Sequence, residues 1–288
     1  MSDSSEGAEA HAEASIRARP EGAFEFGRNW QRYVEGYLDA ERERIALESL
    51  QELLGAGTIG GRSFLDMGAG SGLFSLCAHG LGARTVTSVD VDLESVESCR
   101  RLRASAGEPG SWEVLHGSVL ERDHVDSLES ADIVYSWGVL HHTGDMYTAI
   151  RNAAELVVPG GLFAIAIYNR VEGKFLDSHR WLRIKRLYNR APAAGRLVMK
   201  ALYFSYWLLS QIRNRRNPWR VAREYKHSRG MALRTDLWDW LGGYPYEYAS
   251  IDEIVDFCQR NCAMVLKTAI PTTVSGTGNN QLVFRRAE

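Results

Sequence analysis

The sequence predicts an α/β fold in which a mostly parallel sheet is covered by helices on both faces, and three observations carry the prediction. The first is the apolar run Phe64-Leu65-Asp66, which passes into Gly68, Gly70 and Gly72 and then into a helical pattern. A short continuous apolar run suits a strand buried on both faces, and glycines at its end let the chain turn tightly and approach a ligand. The second is the recurrence of such runs at Thr85 to Val89, Trp112 to His116, Asp132 to Tyr135 and Leu162 to Tyr168, with helical stretches between them. The third is size: 288 residues with 45% hydrophobic content hold one large domain or a domain with a sizeable insertion.

Taken in order, residues 1–20 are rich in Ala, Glu and Ser and lack a basic start followed by an apolar core. They read as a disordered tail and not as a signal peptide, which places the chain in the cytoplasm. Residues 21–58 hold an aromatic stretch that includes Phe26 and Trp30, then a helix from Asp39 to Leu54 with an apolar face of Ile45, Leu47, Leu50, Leu53 and Leu54. Two readings of the aromatic stretch stand: a lid over a ligand, or rings packed on the core.

Residues 59–169 form the predicted core. Beyond the glycine loop a helix runs from Phe74 to Leu81 and stops at Gly82, and the second strand, Thr85 to Val89, ends in Asp90. A helix from Leu93 to Ala104 and a Gly-Glu-Pro-Gly break lead to the third strand, which is followed by Gly117-Ser118-Val119. After the fourth strand, Ser136 to His142 cross its C-terminal end, the edge where open α/β sheets place their chemistry. A helix from Met146 to Leu156 and the turn Pro159-Gly160-Gly161 precede the fifth strand.

Residues 170–235 read as a basic helical insertion. Between Arg170 and Gly230 stand sixteen Lys and Arg against three acids, a local +13 in a chain whose net charge is −2. Such asymmetry implies a partner or substrate of opposite sign near this segment. Its apolar stretch, Leu197 to Ile212, contains Lys200 and is too short to span a bilayer. It is either a cap that packs on the sheet edge and closes a substrate pocket, or an amphipathic helix on an anionic membrane surface. In residues 236–288, an aromatic turn around Trp238, Trp240 and Gly242 to Tyr246 precedes a helix from Ile251 to Asn261, opened by the capping-box pair Ser250 and Glu253. Two strands, Ala263 to Ala269 and Gln281 to Phe284, complete the chain. Cys77, Cys99, Cys258 and Cys262 show no zinc-like spacing and read as buried thiols.

The glycine spacing narrows the ligand. A dinucleotide fingerprint needs glycine at the first, third and sixth positions, and the sixth residue counted from Gly68 is Leu73. An acid at the end of the first strand followed by Gly-x-Gly-x-Gly instead resembles the first motif of class I S-adenosyl-L-methionine (SAM) methyltransferases. The resemblance covers about residues 62 to 168. It implies a Rossmann-like, seven-stranded, mostly parallel sheet with helices on both faces and its last strand antiparallel, here with the helical insertion after strand 5. It also implies SAM as cofactor, with the loop around its amino-acid part and Asp66 helping to hold the ammonium. Asp90, placed to accept hydrogen bonds from ribose hydroxyls, is the second motif, with Asp92 as its rival. The implied contact set is Asp66, Gly68, Ala69, Gly70, Gly72, Asp90, Val91, Ser118, Val119, Ser136 and Trp137. Ser118 stands where the family usually carries an acid toward adenine.

Methyl transfer is an in-line displacement that needs positioning and, for a hydroxyl acceptor, a base. His141 and His142 are the candidates, since imidazole is the usual base near neutral pH. The chain is also similar to the ubiquinone-pathway O-methyltransferases, whose acid, acid, histidine set accompanies a divalent metal. Here Gly138 and His141 occupy the acid positions and only His142 remains, so a hard cation loses its ligands and no metal is expected. Acceptor contacts are expected from Phe26, Trp30, Tyr168, Asn169 and the basic insertion. The resulting reading is methylation, with oxygen favoured, of a small or amphipathic metabolite. Methylation of RNA or another macromolecule, and a non-catalytic SAM-binding or membrane-associated role, are the alternatives.

Overall fold

In the computed structural model, which describes residues 39–173, 176–225, 233–271 and 278–288 along with Gly27 and Gly36, the apolar runs become strands of one sheet. They are β1 (Ser63–Met67), β2 (Thr85–Asp90), β3 (Trp112–His116), β4 (Ala131–Trp137), β5 (Val157–Tyr168), β6 (Met264–Ile270) and β7 (Asn279–Arg286). Their order is β3-β2-β1-β4-β5-β7-β6. Strands β1 to β5 pair in parallel, and β7 runs antiparallel to both β5 and β6. Strand order reverses between β1 and β4, which makes the crevice beyond their C-terminal ends the natural ligand position in an open α/β sheet.

Both faces of the sheet are buried, as the unbroken apolar runs require. Phe64, Ile133, Tyr135, Leu162 and Ala164 point to one face, against α1 (Ala40–Leu54), α2 (Leu73–Gly80) and α3 (Leu93–Ser105). Leu65, Met67, Val134, Phe163 and Ile165 point to the other, against α4 (Arg122–Ser127), α5 (Met146–Glu155) and α10 (Ile251–Asn261). The alternation is the strand period of two. Helix starts follow the sequence signals: Asp39 accepts from the Arg42 amide, Asp92 from Glu94, and Ser250 and Glu253 form a complete capping box.

Two details differ from the sequence reading. The Pro159-Gly160-Gly161 turn lies inside β5 and not before it, because the strand already pairs at Val157 opposite Ala131. The register resumes at Leu162 opposite Ile133. Proline supplies no ladder donor, so the intervening residues bulge out of the pairing. The short helix α4, which has no apolar periodicity beyond Val125, was not foreseen.

The insertion between β5 and β6 consists, among the described residues, of α6 (Ser178–Arg190), α7 (Ala193–Arg213), α8 (Pro218–Glu224) and α9 (Leu233–Gly242). Helix α6 buries Trp181, Lys185 and Tyr188, whereas α7 buries no residue. Helices α6 and α9 pack over the end of β5, with Lys185 and Trp240 against Tyr168, whereas much of the apolar stretch from Leu197 to Ile212 stays exposed. Among the described residues no helix is long and apolar enough to cross a membrane.

Candidate functional site

The glycine loop joins β1 to α2 at the reversal point. Gly68 and Gly72 adopt φ of 83° and 82°, where a side chain strains the backbone. Space is also absent: a Cβ on Gly68 would lie 2.4 Å from the Val139 side chain, and one on Gly72 would lie 2.5 Å from the Cys99 sulfur. Four amide donors of the loop are engaged within the protein. Gly68 and Ala69 donate to the Val89 carbonyl at 2.7 and 3.0 Å, Gly70 to Asp90 Oδ2 at 2.8 Å, and Gly72 to the Ala69 carbonyl at 2.9 Å. A pyrophosphate cradle would need such amides turned toward the ligand. In this loop such amides are instead held by the Val89 and Ala69 carbonyls and by the Asp90 carboxylate.

Asp90 sits half-buried at the tip of β2. Its second oxygen, Oδ1, accepts from the Asp92 amide at 2.8 Å, so the carboxylate ties loop and strand end together. Asp92 has a different task. One of its oxygens caps α3 through the Glu94 amide at 2.9 Å, and the other accepts from the Gly27 amide at 3.1 Å, which brings Gly27 to this edge. Phe26 and Trp30, the candidates beside Gly27, lie outside the described residues.

Asp66 is buried behind the loop. It accepts from the Ser75 hydroxyl at 2.7 Å, Ser75 from Ser88 at 2.7 Å, and Ser88 from the Trp112 indole at 2.8 Å, a chain of donors running through the sheet. Burial pushes its carboxyl up to about 7. The Ser75 bond opposes that rise, and the Asp90 charge adds to it. Val91 is exposed beside Asp90. At the end of β3, Ser118 accepts from the Leu120 amide at 3.2 Å, and the buried Val119 offers its carbonyl to Asn152 at 2.8 Å. Ser136 is fully buried and donates to the Met67 carbonyl at 2.7 Å, while Trp137 stacks on Tyr135 at 5.8 Å.

Beyond β4 the character changes. His141 is fully buried, and its Nδ1 accepts from the Tyr168 amide at 3.4 Å. Its ring centre lies 3.9 Å from that of Tyr168 and 4.4 Å from that of His142. Burial holds its pKa well below the usual imidazole value, helped by His142 and Lys185 and opposed by the Ala166 backbone. His142 is half-buried, and its Nδ1 lies 2.5 Å from the Pro245 carbonyl. A carbonyl only accepts, so Nδ1 carries the proton and Nε2 is the basic nitrogen. Burial pushes the His142 pKa down to about 3, with the Pro245 bond opposing and Lys185 adding. Asn169 continues β5, pairing with Ala249 and accepting from Asn280 at 3.0 Å.

Sequence reading missed the group behind these residues. Lys185 is completely buried, donates to the Trp240 carbonyl, and holds its ammonium 4.6, 4.8 and 5.7 Å from the rings of Trp240, Tyr246 and Tyr168. Such cation–π contacts fix α6 against the end of β5. Pro245, reached through a cis bond from Tyr244, and Glu247, whose amide donates to the His141 carbonyl at 3.0 Å, lock the aromatic turn onto the two histidines. The signal was present in the helical spacing: Trp181, Lys185 and Tyr188 share one face of α6. Among the described residues no three His, Cys, Asp or Glu side chains cluster to hold a metal ion, and all four cysteines are free thiols.

Residues 65–165 match the family described as methyltransferase domain. Over these residues the chain carries a SAM-dependent methyltransferase domain. Its curated relatives include a ubiquinone biosynthesis O-methyltransferase of Methylobacterium nodulans, 34% identical over 113 residues that cover 39% of this chain and 43% of that protein. Another, of Bordetella avium, is 31% identical over 132 residues, 46% of this chain and 52% of its own length. The match thus spans about half the length of these relatives. Among solved structures, the magnesium protoporphyrin IX methyltransferase of Synechocystis PCC 6803 with bound S-adenosylhomocysteine superposes with a TM-score of 0.54 at 14% identity, covering 90% of this chain and 94% of that one. An O-methyltransferase family protein from Burkholderia thailandensis gives 0.51 at 14% identity, over 85% of this chain and 57% of that one. At such identities the likeness establishes the fold of the methyltransferase domain.

Proposed function

We propose that the domain binds SAM in the crevice beyond β1, β2 and β4 and transfers its methyl group to an oxygen of a small or amphipathic acceptor without a metal ion. The observation that carries this reading is the glycine loop, four of whose amides are engaged internally while Asp90 stands at the neighbouring strand tip. A loop with four amides so engaged beside a strand-tip carboxylate suits an ammonium and ribose hydroxyls better than a pyrophosphate. The residues present therefore fit the cofactor. When bound, SAM supplies an electrophilic methyl group on a sulfonium.

In this reading Asp90 accepts the ribose hydroxyls while holding Gly70, and the carbonyls of the loop from Gly68 to Gly72 face the ammonium. Asp66 supports the loop from behind through Ser75. Val91, Ser118, Val119 and the backbone at Ser136 and Trp137 border the adenine and ribose. Tyr168 and Asn169, at the end of β5, line the acceptor side, and the basic insertion favours an acceptor with a negative or strongly polar group.

His142 takes the acceptor proton at Nε2. Its low pKa keeps the ring neutral at physiological pH, so the nitrogen is ready to accept. A weak base suffices because the hydroxyl becomes strongly acidic as its oxygen bonds to carbon, and the proton leaves late. His141 is a positioning residue, wedged between His142 and Tyr168. Independence from metal rests on Gly138 and His141, which stand where the similar ubiquinone-pathway group carries carboxylates.

The test is release of S-adenosylhomocysteine from SAM by the purified chain with a panel of phenols, hydroxy acids and hydroxylated amphiphiles, with and without EDTA. Turnover that needs a hydroxyl, resists EDTA and falls about a hundredfold in His142→Ala is expected. Loss of turnover in EDTA, or full turnover in His142→Ala, contradicts the metal-free or the base assignment respectively.

A further inference from the structure

Helix α7 and the start of α8 present a surface that neither the SAM crevice nor the histidine pocket uses. Leu197, Val198, Leu202, Leu209 and Ile212 fall within an arc of about 140° on α7, at the 100° per residue of an α-helix. Leu197, Leu202 and Leu209 are 70, 66 and 64% exposed, and Trp219 on α8 is 83% exposed. Apolar exposure on this scale along one continuous face marks an interaction surface.

The charges show what it meets. From Leu197 to Ile212 the only charged residue is Lys200, and it is turned away from the apolar arc, its ammonium 5.1 Å from the Trp238 ring. The opposite side of the helix is anchored by Tyr203, edge-on to Trp181 at 5.7 Å. Cations gather at the margins: Arg196 before the arc, Arg213, Arg215 and Arg216 after it, and Arg220 and Arg223 on α8, all exposed. Between residues 176 and 225 the sequence has twelve Lys and Arg against two acids. Two copies of such a face would oppose like charges on meeting. An anionic bilayer surface supplies both an apolar layer for the leucines and phosphates for the arginines.

We propose that α7 lies in the plane of an anionic membrane, with its leucine face in the headgroup and acyl boundary and the flanking arginines on lipid phosphates. The helix docks without spanning, since its polar ends stay at the surface. Because Tyr203 and Trp181 connect α7 to the Lys185 pocket, docking sets the acceptor side of the methyltransferase domain close to the lipid. The docking itself is independent of methyl transfer.

The test is flotation of the full chain with vesicles of phosphatidylcholine alone and of equal parts phosphatidylcholine and phosphatidylglycerol. The expected result is flotation with the anionic vesicles only, reduced by salt. Both the double variant Leu202→Glu/Leu209→Glu and the charge reversal Arg215→Glu/Arg216→Glu should weaken it about a hundredfold. All four positions are exposed, and unchanged SAM binding by the variants would show that the fold and the crevice are intact. Absence from the anionic vesicles, or equal flotation of the leucine variant, overturns the proposal. So does a wild-type dimer in sedimentation velocity that the leucine variant abolishes without any vesicle binding, since the face then belongs to a second copy of the chain.

Discussion

The two halves of the sheet's C-terminal edge are built in different ways. Around β1 and β2 the site is backbone: four loop amides turned inward, two glycines that no side chain can replace, and carboxylates that hold main-chain donors. Around β4 and β5 it is side chain: two imidazoles, a buried ammonium and several aromatic rings gathered from residues 141–142, 168, 181–188 and 240–248. The first half depends on residues close in sequence and tolerates little substitution. The second depends on an insertion folding back over the strand end, and its chemistry is set by burial.

That contrast orders the expected effects. The largest belongs to Gly68→Ala, where a Cβ 2.4 Å from Val139 adds to the strain of a positive φ. A stability loss of about 2–4 kcal/mol, with SAM affinity lost, is expected in chemical denaturation and calorimetry. Next comes Asp66→Asn. The Asp66 carboxyl is raised to about 7 in the fold from 3.8, so the folded state binds the proton more tightly. Its contribution is complete below pH 3.8 and is lost as pH rises through 7. The wild type should therefore lose on the order of a few kcal/mol from this group between pH 4 and 8, and the asparagine variant should not. Denaturation curves across that range measure the difference. The histidines work in the opposite sense: His142, depressed to about 3 from 6.5, contributes fully above pH 6.5 and loses that contribution as pH falls toward 3.

A smaller effect separates the halves directly. Lys185→Met removes a positive charge that depresses His142, and the His142 pKa should rise by roughly one unit in an NMR titration of the ring, with Asp66 unaffected. A shift at Asp66 as well would mean that the halves are not independent. The smallest belongs to the ion pair of Arg170 and Glu253, at 2.6 Å between the end of β5 and α10. Both partners are more than a third exposed, so Arg170→Ala should cost under about 1 kcal/mol in the same denaturation experiment.

The same division explains what the sequence made legible. The five parallel strands, the glycine loop, Asp90 and the Ser250 capping box rest on local patterns, and the structure places them within a few residues of expectation. Position at the strand tip already favoured Asp90 over Asp92 in the sequence, and the hydrogen bonds of Asp92 to Glu94 and Gly27 add its cap role. The Pro159 to Gly161 turn was read as a boundary because its residues favour turns, yet pairing at Val157 puts it inside β5. Lys185 escaped notice because a lysine in a basic segment reads as solvated, and its burial follows from long-range packing against Trp240 and Tyr246. The leucine arc of α7 was seen as apolar in sequence, but only the fold shows which side stays exposed.

Calorimetric titration of SAM into the full chain tests the central claim most directly, with NAD as the control. Single-site binding of SAM, weakened about a hundredfold by Asp90→Ala, with no heat from NAD, is the expected result. No heat from SAM, or tighter binding of NAD, would contradict the assignment of the glycine loop.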